Sequence, residues 1–185
     1  MINCPVCESP KTKLLLNWKK FKIQKCRNCK LIFTTPLPSE KELADFYQGF
    51  MFKKPEEYEV QKQLIKRKKE ISKLFGLANE TADLSTKRFL DYGGGTGIVY
   101  KAVSEMSLDS YYHDLDEQAK QFSIENFGLK EEKIIDDIKQ SQLLFDYIFS
   151  DNVIEHVLDP HQFLQDLLKP LKAGGRLVIK TPHAS

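Results

Sequence analysis

The chain has 185 residues, a formal net charge of +2, 41% hydrophobic and 29% charged residues, the composition of one medium soluble domain with room for a small appendage. A fibrous or disordered chain is excluded, and this length buries enough surface for a core without disulfides. No apolar run approaches the ~18 residues that span a bilayer and Met1 to Cys4 do not open a secretory leader, so a cytoplasmic protein without a membrane partner is expected.

Residues 1–35 hold all four cysteines and three short apolar stretches (Lys13–Trp18, Lys20–Gln24, Leu31–Thr34) with no helical periodicity, which predicts a small β module. Pro36 and Pro38 interrupt the chain, and Ser39 with Glu42 predicts a capping box for a helix carrying Leu43, Phe46, Tyr47 and Phe50 on one face. A second helix is predicted from about Glu56 to Phe75, its apolar stripe Val60, Leu64, Ile71, Leu74 and Phe75. These helices fill a linker region, 36–80. The last region, 81–185, alternates strand-like and helix-like segments. The predicted strands are Arg88–Tyr92, Asp109–Asp114, Lys133–Asp137, Phe145–Asp151 and Arg176–Thr181; helices start at about Gly97 and cover Glu117–Phe127 and Pro160–Leu171. Strands separated by helices imply an α/β fold with a doubly wound, mainly parallel sheet, whose ligands sit beyond the carboxyl ends of the strands.

Cys4, Cys7, Cys26 and Cys29 form C-x2-C-x18-C-x2-C. Each pair sits on a tight knuckle that aims two thiolates at one point, the tetrahedral sulfur shell that zinc prefers. Four thiolates close the shell, so a structural Zn2+ is expected in a zinc ribbon rather than a catalytic one. Such a ribbon can touch RNA, a substrate or another chain, or serve as a folded brace.

Phe89-Leu90-Asp91-Tyr92 is followed by Gly93-Gly94-Gly95-Thr96-Gly97, a loop that lets backbone amides approach a ligand at a helix N-terminus. Glycines at 93, 95 and 97 disfavour the dinucleotide pattern G-x-G-x-x-G, and no Gly-Lys-Ser/Thr follows to make a P-loop. Asp114 ends the next strand about 20 residues on, where an acid accepts from both ribose hydroxyls. Asp136-Asp137-Ile138 and Asp151-Asn152 close the same rim; a carboxylate at the former can accept from an adenine amino group while the next amide donates to the ring. Any one of these acids alone reads as a helix cap or solvated turn; strands that end in acids in succession, beside a glycine loop, point to a nucleoside ligand.

The stretches FLDYGGGTG (89–97), HDLDEQA (113–119), FDYIFSDNVIEHVLDP (145–160) and LLKPLKAGGRLVIKTP (167–182) resemble, in order, the motifs of class I, Rossmann-like S-adenosylmethionine-dependent methyltransferases. The cysteine pairs followed by TTPLPSEKELADFY (34–47) are similar to a zinc-ribbon subgroup that includes sugar C-methyltransferases. The resemblance implies S-adenosylmethionine as cofactor, held by Asp91, Tyr92, Gly93, Gly94, Gly95 and Gly97. Gly93, Gly95 and Gly97 would pass against the methionine portion, with Asp91 near its ammonium. Asp114 would hold the ribose, Leu115 the adenine face, and Asp137 with Ile138 the adenine edge, with Asp136 a rival one residue away. Asp151 and Asn152 would line the donor methyl.

The expected activity is methyl transfer to a small-molecule or sugar acceptor. Alternatives are an RNA methyltransferase that uses the ribbon and the basic helix around Lys66–Lys69, and a donor-binding zinc scaffold without turnover. Nucleic acid is not the favoured partner, since the basic run also reads as a solvated helix face. His113, His156, His161 and Glu155 are bases by type, and no catalytic residue is assigned. The family continues beyond its fifth strand with a helix and an antiparallel strand pair, whereas this sequence stops at Ser185. The strand edge at Arg176–Lys180 is therefore expected to be completed by a missing C-terminal segment, a second copy in a homo-oligomer, or another chain.

Overall fold

A computed structural model of the chain describes residues 3–39, 41–43, 55–77 and 83–182. Strands β1 (Thr12–Trp18), β2 (Phe21–Cys26) and β3 (Ile32–Thr35) form an antiparallel sheet in that order. β1 and β2 join through two residues, and Lys19 takes the left-handed conformation (φ 55°) that a tight hairpin turn requires. One face packs Cys4, Cys26 and Phe33 into a small buried cluster with Val6, Cys7 and Leu31.

The predicted capping box is formed. Ser39 Oγ accepts from the Glu42 amide at 3.2 Å, and Glu42 Oε2 accepts from the Ser39 amide at 2.9 Å. Residues 41–43 are helical, whereas Phe46, Tyr47 and Phe50 lie outside the described residues.

Helix α1 (Glu57–Phe75) ends where Gly76 adopts φ 66°, a left-handed cap. Leu64, Ile71 and Phe75 are buried. The Phe75 ring meets Phe89, Tyr147 and Phe149 edge-on at centroid distances of 5.4, 5.3 and 6.3 Å. Burial of this order stabilises by roughly 1.5–3 kcal/mol per large apolar side chain. The α1 stripe thereby holds the helix against the second sheet. Its four parallel strands, β4 (Arg88–Tyr92), β5 (Asp109–His113), β6 (Phe145–Asp151) and β7 (Leu171–Lys180), lie in the order β5-β4-β6-β7.

Helices α2 (Ile98–Ser104), α3 (Glu117–Phe127) and α4 (Pro160–Leu168) connect them. Asp116 and Asp159 cap α3 and α4 by accepting two backbone amides each. The chain order reverses at β4, which is flanked by β5 and β6, so a crevice opens beyond its carboxyl end. Phe89 and Phe149 belong to the buried cluster on one face of the sheet, Leu90 and Ile148 to that on the other. Among the described residues no helix is long and apolar enough to cross a membrane.

Four expectations are corrected. Lys133–Asp137 is not a strand: Glu131–Lys133 is a 3-10 turn, and Ile134 makes one isolated parallel bridge to Tyr112. The Asp137 carboxylate captures the Lys139 amide at 2.8 Å and turns the chain away before a ladder can grow. Leu74 is 43% exposed, because it sits about 80° around the helix from Leu64 whereas Ile71 and Phe75 lie within about 20° of it. The helix expected to reach Leu171 stops at Leu168, and β7 begins at Leu171 rather than Arg176. Pro170 has no amide with which to continue the helix, and its carbonyl accepts from the Phe145 amide at 2.8 Å.

Candidate functional site

β4 delivers Asp91 and Tyr92 to the crevice, and the glycine loop turns the chain into α2. A Cβ at Gly97, where φ is +75°, would overlap Ser123, and one at Gly93 would overlap Val153. At Gly95, by contrast, a Cβ would meet nothing within 4 Å. A Cβ at Gly94 would overlap Asp91 and Tyr112, so the loop is pressed against protein at Gly93, Gly94 and Gly97 and is open at Gly95.

Its amides are tied to β5: those of Gly93 and Gly94 donate to the His113 carbonyl at 2.8 and 2.9 Å, and the Tyr112 hydroxyl donates to the Gly95 carbonyl at 2.6 Å. Asp114 completes this seam. One carboxylate oxygen accepts from the Gly95 amide at 2.7 Å and the other from the Asp116 amide at 2.8 Å. The Leu115 amide also faces this carboxylate; a carboxylate offers about four acceptor positions, so at least one remains for a ligand.

Asp91 is buried and accepts from the Tyr100 amide at 3.0 Å. Burial raises its carboxyl to about 7; the Tyr100 amide opposes the rise, the Asp114 charge adds to it, and Arg67 counters it. Burial likewise raises Asp114, against the pull of its amide donors. Tyr92 stacks on His113 with centroids 4.0 Å apart and planes 3° from parallel. Burial pushes Tyr92 up to about 12 and His113 down to about 4, so His113 is neutral near pH 7. His113 Nδ1 is buried without a hydrogen-bond partner in the described structure.

The other rim residues spread outward. Leu115 is 82% exposed beside the crevice. The Asp137 carboxylate is exposed and holds its own turn, accepting from the Lys139 amide and from Gln140 Nε2 at 2.8 and 2.9 Å, while the Ile138 side chain is buried in the core. Asp136, the rival, pairs with Lys120 at 3.4 Å. Asn152 is exposed with φ 58°, and its amide donates to the Lys180 carbonyl at 2.8 Å.

Asp151 anchors a charge network. Its Oδ2 lies 2.9 Å from Arg67 and 3.3 Å from Lys180, and Glu70 pairs with both cations at 2.7 and 2.8 Å. Asp151 Oδ1 is buried without a hydrogen-bond partner among the described residues. Arg67 was not singled out by sequence reasoning, which grouped it with a basic helix surface. The signal was nevertheless present: position 67 follows Leu64 by three and precedes Ile71 by four, so an arginine interrupts the apolar stripe. Among the bases by type, Glu155 accepts from Thr181 at 3.1 Å and lies 4.0 Å from His156.

At the other end, the two cysteine knuckles repeat one geometry. The Glu8 amide donates to Cys4 and the Lys30 amide to Cys26, at 2.9 and 3.1 Å, and both donors take positive φ (56° and 69°). The four sulfurs of Cys4, Cys7, Cys26 and Cys29 lie within 4.8 Å of one another, with Cys4–Cys29 at 3.5 Å and Cys7–Cys26 at 3.6 Å. A tetrahedron with Zn–S bonds of about 2.3 Å has edges of ~3.8 Å, so the shell fits that ion. The Asn28 amide donates to Cys26 Sγ at 3.3 Å, and the Ser9 amide foremost holds the Cys7 thiol down to about 6. His161 Nε2 lies 2.8 Å from the Val6 carbonyl, tying the first knuckle to the start of α4.

Known proteins match both the sequence and this arrangement. A family described as "Methyltransferase domain" matches residues 58–185. The chain is 29% identical over 119 residues to the ubiquinone biosynthesis O-methyltransferase of Maricaulis maris (strain MCS10), covering 58% of this chain and 44% of that protein. It is 30% identical over 105 residues to the mitochondrial ubiquinone biosynthesis O-methyltransferase of Schizosaccharomyces pombe, covering 52% and 38% respectively. The chain thus spans less than half the length of these two relatives. In fold it is similar to an S-adenosyl-L-methionine-dependent methyltransferase from Methanococcus maripaludis (TM-score 0.50, 18% identity, 75% of this chain and 60% of that one). It is also similar to the plantazolicin methyltransferase BpumL in complex with SAH (TM-score 0.51, 19% identity, 74% and 56%). With a parallel sheet reversing at β4, a glycine loop sewn to the acid that follows β5, and this family match over residues 58–185, the chain belongs to the class I S-adenosylmethionine-dependent methyltransferases.

Proposed function

We propose that the chain binds S-adenosylmethionine in the crevice beyond β4 and β5 and transfers its methyl group to a small-molecule acceptor. The observation that carries this reading is the seam between Gly95 and Asp114: open space at the glycine beside a carboxylate that still has an acceptor position to spare. The donor supplies a methyl already activated by a sulfonium, so the protein's task is alignment and exclusion of water.

Asp91 would take the donor's ammonium, a cation that a buried carboxyl with one amide donor lacks. Arg67, held at the rim by Asp151 and Glu70, acts on Asp91 through its charge and would add positive potential on the side of the donor's carboxylate. Asp114 would accept from the ribose hydroxyls, and the exposed Leu115 side chain would cover the adenine. Asp137 and the backbone at Ile138 would meet the adenine edge. Asp151 and Asn152 would border the methyl, with the buried Asp151 Oδ1 having no hydrogen-bond partner among the described residues.

The names of the two relatives specify oxygen as the methylated atom. Small hydroxylated acceptors are therefore assayed first, and sugars, which the cysteine module's resemblance implies, second. The basic helix is a poor RNA contact, since Arg67 and Lys68 are engaged with Asp151, Glu70 and Glu105. The four cysteines would hold a structural Zn2+, which crosslinks the two knuckles. Calorimetry with S-adenosylmethionine and S-adenosylhomocysteine tests the site, followed by transfer of labelled methyl to both acceptor classes. Failure to bind either nucleoside refutes the reading; binding without transfer to any acceptor turns it into a donor-binding scaffold.

A further inference from the structure

The outer face of the antiparallel sheet belongs neither to the crevice nor to the cysteine cluster. Directly paired residues share a face. The register Leu16↔Ile23, Trp18↔Phe21 and Lys25↔Ile32 therefore gathers Leu16, Trp18, Phe21, Ile23 and Ile32 on one side, and Lys13↔Lys25 sets two lysines at their border. The buried Cys26, Phe33 and Thr35 occupy the opposite face. Leu16, Trp18 and Ile32 are 54%, 57% and 42% exposed, an unusual state for large apolar residues grouped on a sheet.

The charge around this face is one-sided. From Ser9 to Ser39 the sequence contains Lys11, Lys13, Lys19, Lys20, Lys22, Lys25, Arg27 and Lys30 and no acidic residue. All of these cations are exposed, and among the described residues only Lys20 is ion-paired, with Glu42 at 2.5 Å. The exposed Trp18 ring and the half-buried Phe21 ring each carry a cation over one face: Lys19 Nζ is 5.1 Å from the centroid of Trp18, and Lys20 Nζ 5.2 Å from that of Phe21.

We infer that this face binds a single-stranded nucleic acid, with bases stacked on Trp18 and Phe21 and phosphates along Lys13, Lys19 and Lys25. Aromatic rings on a sheet, flanked by exposed cations, form a stacking platform for unpaired bases. A second copy of the chain would oppose like charges, and an acidic polypeptide would satisfy the lysines while leaving the rings without stacking partners. The site is independent of the donor crevice and needs no S-adenosylmethionine.

Trp18 is the only tryptophan of the chain, so its emission reports on this face alone. The zinc-loaded full chain is titrated with a labelled 12-nucleotide oligouridylate, and with oligodeoxythymidylate to separate RNA from DNA, following anisotropy and Trp18 quenching together. Quenching by either strand is expected, with affinity falling about 50-fold between 50 and 200 mM salt if roughly four phosphates are neutralised. Lys13→Glu with Lys25→Glu should weaken binding at least tenfold with an unchanged circular dichroism spectrum, whereas Lys66→Glu with Lys69→Glu on α1 should stay within twofold of the parent. Absence of quenching by both strands, or indifference to Lys13→Glu with Lys25→Glu, overturns the inference. Equal quenching by polyglutamate overturns it too, in favour of an acidic polypeptide.

Discussion

Among the described residues, the apolar cluster of the antiparallel sheet buries Cys4, Cys26 and Phe33. The parallel sheet buries Phe89, Leu90, Phe145, Ile148 and Phe149 completely between helices on both faces. Some 35 residues cannot remove enough apolar surface from water to offset the entropy of ordering the chain. The smaller sheet would therefore rely on the proposed ligation at one face while the other stays apolar and open. The larger one has burial to spare and can hold destabilising groups, Asp91 and His113, inside its rim.

The largest test of this contrast is metal removal. Structural zinc supplies ~10 kcal/mol or more to small domains. A strong chelator should unfold residues 3–39, read as loss of the Trp18 near-ultraviolet signal, while amide exchange in β4, β5 and β6 stays slow. Simultaneous melting of both sheets would show that they stand or fall together.

Gly97→Ala tests the packing of the larger sheet. The added methyl would overlap Ser123 at a positive φ and should cost about 3 kcal/mol, lowering the thermal midpoint by about 10 °C. Gly128→Ala has positive φ but open space around it, and should cost only about 1 kcal/mol.

Asp91 tests the stored electrostatic cost. Its carboxyl lies near 7 in the folded chain against an ordinary 3.8, so between these values the folded state keeps a proton that the unfolded state releases. Donor-free stability should therefore fall as pH rises from about 4 to about 7, by up to about 1.4 kcal/mol per pH unit. Asp91→Asn should flatten that slope in urea titrations at several pH values and weaken donor binding at least tenfold. A slope unchanged by Asp91→Asn removes Asp91 as its source.

The smallest effect is at Leu115. Its side chain is 82% exposed, so Leu115→Ala should shift stability by less than about 0.5 kcal/mol. It should nevertheless weaken the donor by about 1 kcal/mol if adenine lies on it, an affinity change read by calorimetry.

Much of the rim could be read locally. The Ser39–Glu42 box, the ends of α3 and the strands from Arg88 and Phe145 follow from caps and apolar runs, and appear where the sequence places them. Lys133–Asp137 failed because a two-residue apolar run is weaker than the Asx turn that follows it. Arg67 escaped because its fate depends on Asp151, 84 residues away in sequence, and no local pattern joins the two.

The spacing of the four cysteines, the glycines from 93 to 97 and the alternation after Arg88 settled the fold class, because they act through neighbours a few residues apart. Packing decided the rest. Only the assembled sheets bring Gly95 to Asp114, Arg67 to Asp151 and Val6 to His161. The same assembly leaves Trp18 and Leu16 in water. Which groups are buried together, and at what cost in charge, is a property of the closed chain and not of any segment within it.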